Sequence, residues 1–227
     1  MRLLITAGPT HEPIDAVRFL GNRSSGRLGS ALAEVAADRN WKVRLLMGPH
    51  AIIPEHKGIE IIRFQSTADL ESLLQDHLPW CDTLIMAAAV SDFTPVVPED
   101  AGLTKWRRGA ESLTLELRPT PDLLKGCAKR ARPDQNLVGF ALEPADRLES
   151  SALAKLERKD IDFIVANPLN TMDADSINAT VFQRGGIRLD ATNGAVSKHE
   201  FALWLLDLLD DAMAATTRSA DHRTANE

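Results

Sequence analysis

Short apolar runs alternate with helix-patterned segments along this chain, and few folds accept that alternation. The first run, RLLITAG (2–8), reads as a buried strand stopped by a glycine turn. A helix follows from about Ser25 to Asn40, where Leu28, Leu32, Val35 and Ala36 recur at helical spacing. KVRLLMG (42–48) and IEIIRF (59–64) are the next strands, then a helix STADLESLLQDHL (66–78) with a Ser66/Thr67 start. CDTLIMAAAVSD (81–92) is a strand running into a loop of small residues. Strands and helices taken in turn predict an α/β fold with a doubly wound, mostly parallel sheet.

The stretch 93–124 breaks the pattern. It holds four prolines and one alternating segment, SLTLELR (112–118), which suits a hairpin arm or flap inserted at about 93–120. The alternation then resumes with a helix DLLKGCAKRA (122–131), a strand LVGFAL (137–142), a helix 146–160 and a strand IDFIVANP (161–168). A hairpin is expected at NATVFQRGGIRLDAT (178–192), turning at its glycine pair. A helix is expected over 197–214, where Ser197 and Glu200 have capping-box spacing. One domain over 1–213 and a frayed or disordered polar tail over 214–227 are expected.

Charge and cysteine content narrow the partners. A net charge of −6 over 227 residues argues against nucleic acid. Cys81 and Cys127 stand far apart, without the spacing of a zinc site or a disulfide framework. No apolar run reaches membrane-spanning length and no signal peptide is legible, so the expected location is cytoplasmic.

Four places carry residues suited to chemistry. The segment GNRSSGRLG (21–29) leads small residues and glycines into a helix, whose first amides are free to bind an anion. Gly26 and Gly29 equally suit close packing of helix on sheet, and the glycines alone do not separate the two readings. The sixteen-residue insertion 9–24 before that helix is too long for a plain dinucleotide turn. MAAAVSDF (86–93) ends a strand in small residues, with Asp92 placed either to accept hydrogen bonds from a ligand or to cap a loop. KWRR (105–108) puts three cations in four residues, as a lid over a polyphosphate or as a solvated basic face. KLERK (155–159) sets Lys155 and Lys159 on one helix face.

Taken in order, ITAGPTHEPIDAVRFLGNRSSGRLGSALAE, MAAAVSDFTP, LTLELRPTPDLL, VGFALE and KLERKDIDFIVAN resemble the phosphopantothenoylcysteine synthetase family, over about residues 3–209. The resemblance implies a Rossmann-like fold and a ligase of coenzyme A biosynthesis. Such a ligase activates the carboxylate of 4′-phosphopantothenate with a nucleoside triphosphate as an acyl-nucleotide, then couples it to cysteine. It further implies the bacterial, CTP-using type, magnesium accompanying the nucleotide, and no flavin in this chain.

Site roles follow from the resemblance residue by residue. Asn22 is expected to hold the substrate carboxylate and the acyl intermediate, as an amide that stabilises a developing oxyanion. Gly8, Ser24, Gly26 and Gly29 are expected to cradle the nucleotide phosphates. Ala88, Ala89 and Asp92 are expected at the ligand-contacting strand end, with Asp92 open to either ligand. Arg18 is expected to reach the substrate phosphate from a neighbouring subunit, which implies a homodimer. Lys105 is expected to be the catalytic lid lysine. Pro121, Asp122, Leu123, Leu124, Phe140 and Asn167 are expected around base and ribose, with Lys155 and Lys159 beside them.

The sequence departs from the family at Trp106, Arg107 and Arg108, where the family has Ile-Lys-Lys, at Pro144, and in the stretch 168–178. Many bacterial members carry a flavin-dependent decarboxylase upstream, and here that step is expected from another chain. A short-chain nicotinamide reductase is the main rival. It needs a Tyr-x-x-x-Lys pair, and this chain contains no tyrosine. A non-catalytic nucleotide-binding module is the other rival. Asn22 and Lys105 argue against it, and the altered lid keeps it open.

Overall fold

The computed structural model describes residues 1–97, 105–107, 112–169 and 174–224, with backbone alone for 212, 213 and 215–224. In chain order, β1 (Arg2–Ala7) is followed by a small ribbon of β2 (His11–Pro13) and β3 (Phe19–Gly21). Then come α1 (Arg27–Asp38), β4 (Lys42–Met47), β5 (Ile59–Arg63), α2 (Thr67–His77) and β6 (Thr83–Met86). A second ribbon, β7 (Phe93–Pro95) with β8 (Leu117–Pro119), precedes α3 (Leu123–Ala128), β9 (Asn136–Glu143), α4 (Leu148–Lys159) and β10 (Phe163–Pro168). The chain ends with β11 (Ser176–Ile177), β12 (Thr180–Gln183), β13 (Ile187–Ala191), β14 (Val196–Ser197) and α5 (Lys198–Thr224).

One eight-stranded sheet runs β13-β12-β10-β9-β6-β1-β4-β5. The six strands from β10 to β5 are mutually parallel, and β12 and β13 add an antiparallel edge. The expected α/β doubly wound sheet is therefore present. Its strand order reverses between β1 and β6, and ligands of such sheets bind beyond the carboxyl ends of the strands at that reversal.

Alternation along each strand sorts side chains onto two faces. Leu3, Ile5 and Ala7 of β1 join Leu32, Val35 and Ala36 of α1 and Phe201 and Leu205 of α5 in one core. Leu4 of β1 joins Leu70 and Leu74 of α2, Leu124 of α3 and Leu156 of α4 in the other. The period-two pattern of a strand buried on both faces leaves β1 almost wholly inaccessible.

Several boundaries differ from the sequence reading for identifiable reasons. Helix α1 starts at Arg27, not Ser25, because Gly26 adopts a left-handed conformation, φ 69°. The insertion 9–24 is not a bare loop; it folds into the β2–β3 ribbon. The alternating segment 112–118 pairs with β7 only from Leu117 onward, and Leu113 is left 60% exposed. The rest of the expected flap, 98–104 and 108–111, lies outside the described residues, as do 170–173. Helix α5 runs to Thr224, past the start of the expected tail; residues 211–224 contain neither glycine nor proline to stop it. The hairpin with Gly185 and Gly186 at its turn forms as expected, with both glycines at positive φ.

The amino-terminal end of the sheet is pinned by Asp82, which accepts the Arg2 amide at 2.7 Å and the Arg2 Nε at 3.0 Å. The Arg2 guanidinium holds the Asp82 carboxyl below its ordinary range, against a smaller opposing effect of burial. A depressed carboxyl stabilises the fold above its unfolded pKa and loses that effect as pH falls through the folded value. Asp82→Asn should therefore lower the melting temperature at neutral pH and at pH 5. The gap to the unchanged protein should narrow as pH falls below the ordinary aspartate range, as melting curves taken across the acid range would show.

Candidate functional site

At the reversal between β1 and β6 the carboxyl ends of the strands open into a cleft of about 1000 Å³. Its floor is backbone. The loops that follow β1 and β6 continue past the sheet edge paired to each other. The Ala89 amide donates to the Gly8 carbonyl (2.9 Å), and the Thr10 amide donates to the Ala89 carbonyl (3.2 Å). Two buried threonines hold the rest: Thr6 Oγ1 accepts the Ala88 amide and Thr10 Oγ1 accepts the Ser91 amide, each at 3.0 Å. On the far side the Thr120 hydroxyl donates to the Ser91 carbonyl, and the Thr120 amide donates to the Asp92 carbonyl at 2.9 Å.

One wall is the start of α1. Its first intrahelical bond is Ser30 amide to Gly26 carbonyl at 3.0 Å, so the amides before Ser30 lie outside the helix's own ladder. Gly26 supplies no side-chain cap, and the first turn contains no acidic residue. The positive end of the helix thus faces the cleft without a carboxylate of its own. Ser24 Oγ accepts the Gly26 amide at 3.3 Å and shapes the turn. A Cβ on Gly26 would stand 2.6 Å from Ala51 Cβ, and one on Gly29 would stand 2.5 Å from Ala7 Cβ. Gly29 therefore serves the packing of α1 on β1 while also lining the cleft. Gly8 does not line it. Gly8 lies behind the cradle at φ 83°, with Ala51 filling the space a side chain would need.

Asn22 closes this end. Its Nδ2 donates to the Ala89 carbonyl at 3.1 Å, which fixes the amide while leaving its second N–H and its Oδ1 exposed to the cleft.

The opposite wall comes from α3, α4 and the ends of β9 and β10. Asp122 caps α3 by accepting the Lys125 amide at 3.1 Å, and it also accepts Lys159 Nζ at 2.7 Å. Burial opposes its charge, but the bonds from Lys159 and the Lys125 amide prevail, so the Asp122 carboxyl titrates low. Lys155 Nζ donates to the Phe140 carbonyl at 2.8 Å. Burial, with the nearby Lys159 charge, pushes the Lys155 ammonium down from the usual lysine range.

The expected residues Asn22, Ser24, Gly26, Gly29, Ala88, Ala89, Asp92, the 121–124 segment, Phe140, Lys155, Lys159 and Asn167 all line this one cleft. Arg18 and Lys105 do not. Arg18 sits between β2 and β3, where its Nη2 donates to the Trp106 carbonyl at 2.9 Å. Lys105 is exposed beside that contact, and Arg108 lies outside the described residues.

Sequence reasoning missed Arg23, Arg27, Arg158 and Lys198, which also line the cleft. Arg27 and Lys198 open α1 and α5, and Arg27 is paired with Asp175. With Lys155 and Lys159 they make six cationic side chains against Asp92, Asp122 and Glu143 on a chain of net charge −6. Concentrating cations against the general trend marks an anion-binding cleft. Their signal in the sequence was positional: an arginine directly after the left-handed glycine and a lysine one residue past a helix cap.

Gly26→Ala should destabilise the fold by about 1–3 kcal/mol, the usual cost of a side chain forced to positive φ. It should also weaken the binding of inorganic triphosphate, used as a probe anion for the cleft. Denaturant unfolding and calorimetric titration measure the two effects separately.

Residues 1–213 match the family described as the DNA/pantothenate metabolism flavoprotein C-terminal domain. The chain is 44% identical, over 74% of its length, to a protein named cysteine/cysteine sulfinic acid decarboxylase from an unknown prokaryotic organism. That match covers 46% of the relative. It is 42% identical, over 73% of its length, to the coenzyme A biosynthesis bifunctional protein CoaBC of Mycobacterium bovis, covering 41% of it. The chain thus spans less than half the length of these curated relatives. The crystal structure of a CoaBC C-terminal domain superposes with a TM-score of 0.77 at 30% identity, covering 94% of this chain and 96% of that one.

Proposed function

The chain belongs to the family of the DNA/pantothenate metabolism flavoprotein C-terminal domain, and from that membership we propose that it is a phosphopantothenate–cysteine ligase. The single observation that carries this reading is the meeting, in one cleft, of a fixed carboxamide and a cationic helix start. Asn22 is held by the Ala89 carbonyl next to the uncapped amides of α1.

Chemically, a carboxylate must be activated before an amine can displace its oxygen. The carboxylate of 4′-phosphopantothenate attacks the α-phosphorus of CTP. A mixed anhydride, the acyl-cytidylate, forms and pyrophosphate leaves. The amine of cysteine then attacks the acyl carbon. Cytidine monophosphate leaves, the amine gives up a proton, and the amide bond of 4′-phosphopantothenoylcysteine results. Negative charge builds on the triphosphate in the first step and on the acyl oxygen in the second. The α1 amides with Arg27, and Lys155 with Lys159, offer charge to the first. The free N–H of Asn22 offers a hydrogen bond to the second without acting as a base.

Magnesium belongs to this scheme as part of the nucleotide substrate. No group of three His, Cys, Asp or Glu among the described residues is arranged to hold a metal ion. On this reading phosphate oxygens and water, the usual partners of a nucleotide-bound magnesium, coordinate it. CTP is the nucleotide of choice by resemblance to bacterial members.

A homodimer is supported by an exposed apolar face on the two small ribbons. Val17, Phe19 and Leu20 flank one, and Phe93, Val96 and Leu117 the other, each between 37% and 59% exposed. A second copy of the chain would cover that face and bring its own Arg18 towards the cleft. A cytoplasmic location fits a pathway of soluble intermediates. No helix among the described residues is long and apolar enough to cross a membrane.

The deciding assay follows product formation from cysteine and phosphopantothenate with CTP and with ATP side by side. CTP should support turnover. With cysteine omitted, pyrophosphate should appear together with a bound acyl-cytidylate; absence of both with either nucleotide would return the chain to a binding module. Asn22→Asp places a negative charge beside the developing oxyanion and should reduce turnover by about 100-fold or more. Near-normal turnover in that variant would remove Asn22 from its role. Lys105→Gln should reduce turnover well beyond any effect of Lys57→Gln, a substitution at an exposed lysine.

A further inference from the structure

The insertion 9–24 carries a buried carboxylate that the reaction chemistry does not use. The Asp15 side chain is fully inaccessible to solvent. Its two oxygens do different things. Oδ1 accepts the amides of Val17 (2.8 Å) and Arg18 (2.7 Å), closing the turn between β2 and β3. Oδ2 accepts the amide of Trp106, ninety-one residues away, at 3.1 Å, and lies 3.4 Å from Arg18 Nη2. That same Nη2 donates to the Trp106 carbonyl at 2.9 Å. The backbone N–H and C=O of Trp106 are thereby both taken, in a ring closed by the Asp15–Arg18 ion pair.

We infer that Asp15 is a positioning residue that docks the basic strip 105–107 onto the β2–β3 ribbon through the Trp106 peptide. The clasp reads backbone and not the indole, so it accepts any side chain at 106 that leaves the N–H in place. It fixes where Lys105 stands relative to the cleft, because β3 runs from the clasp directly to Gly21 and Asn22. The ribbon therefore ties the exposed lysine strip, which lies outside the lining of the cleft, to the amide that faces the acyl oxygen. The catalytic consequence rests on the ligase reading; the clasp itself does not.

Asp15→Asn separates the two duties. An asparagine oxygen still accepts the Val17 and Arg18 amides, while its NH2 meets the Trp106 N–H donor to donor. Trp106→Pro removes the N–H from the other side, and Trp106→Ala leaves the backbone untouched. The direct readout is trypsin cleavage after Arg107 in the intact, unliganded chain, since a proline at 106 would itself block cleavage after Lys105. Asp15→Asn and Trp106→Pro should each speed cleavage there about tenfold, Trp106→Ala should leave it unchanged, and the double variant Asp15→Asn/Trp106→Pro should add nothing to either alone.

Cleavage unchanged in Asp15→Asn, or additive effects in the double variant, overturns the clasp. If Asp15→Asn does not fold, Trp106→Pro against Trp106→Ala decides alone. Equal cleavage in those two variants overturns the proposal. In turnover assays Asp15→Asn should raise the KM for nucleotide several-fold more than that for cysteine. Uniform loss across the substrates marks a structural role and overturns the positioning role. A chain inactive with every substrate leaves the proteolysis result standing by itself, so failure of the ligase reading and failure of the clasp are told apart.

Discussion

The peptide unit of Ala89 is the point on which the site depends. Its N–H reaches the Gly8 carbonyl, and its carbonyl accepts both the Thr10 amide and Asn22 Nδ2. Beyond the last ladder bonds of a parallel sheet, strands β1 and β6 would splay and leave backbone groups without partners, a cost that buried chains avoid. Here the two loops are paired for one more step. The cleft between them gets a floor of oriented backbone in place of a flexible mouth. The Asn22 carboxamide is attached to that same residue. Ligand-facing geometry and sheet geometry are thus set together, which is what preorganised electrostatic stabilisation requires.

The polar residues of the insertion extend this logic outward. Thr10, Glu12 and Asp15 are all buried, and each reaches a different part of the chain. Thr10 holds the Ser91 amide at the cleft floor. Glu12 accepts the Thr67 amide at 2.9 Å and its hydroxyl at 2.6 Å, setting a carboxylate against the positive start of α2. Asp15 holds Trp106. A buried carboxylate survives only where hydrogen bonds replace its water; Asp15 accepts three backbone amides, and Glu12 accepts the amide and hydroxyl of Thr67. The insertion is a junction from which the floor, a helix and the basic strip are positioned.

How much of this could be read from the residues follows the range of the forces involved. Local periodicity revealed the strands, helices and the Gly185–Gly186 hairpin, because those depend on neighbours in sequence. The sheet order depends on long-range pairing and was legible only as a class. The β2–β3 ribbon escaped notice because each strand has three residues and those of β3 are exposed, so no alternation develops. The glycines after Asn22 were legible as a helix entry, yet only the 2.5 Å approach to Ala7 shows that Gly29 also serves packing. Arg23 and Arg27, Arg158, and Lys198 come from three separate segments, and no one window of sequence gathers all four. Lys105 was visible as charge, but its placement is fixed by a backbone contact to Asp15, and backbone contacts leave no compositional trace.

The lysine pair of α4 shows how one helix face gives two chemically distinct groups. Lys155 and Lys159 are four residues apart and side by side. Lys159 lies against the Asp122 carboxylate, which keeps its charge compensated. Lys155 donates to the Phe140 carbonyl and feels the more distant Glu143 and Asp122 charges, yet burial together with its charged neighbour makes its proton easier to lose. A cation held this way gains from any anion placed beside it, because the anion favours its charged form. The same holds for α1, whose first turn has no acid to answer its dipole. The two walls therefore share one feature, positive charge that an anion between them would answer. On the proposed ligase reading a nucleoside triphosphate would supply that anion, with the substrate carboxylate against Asn22.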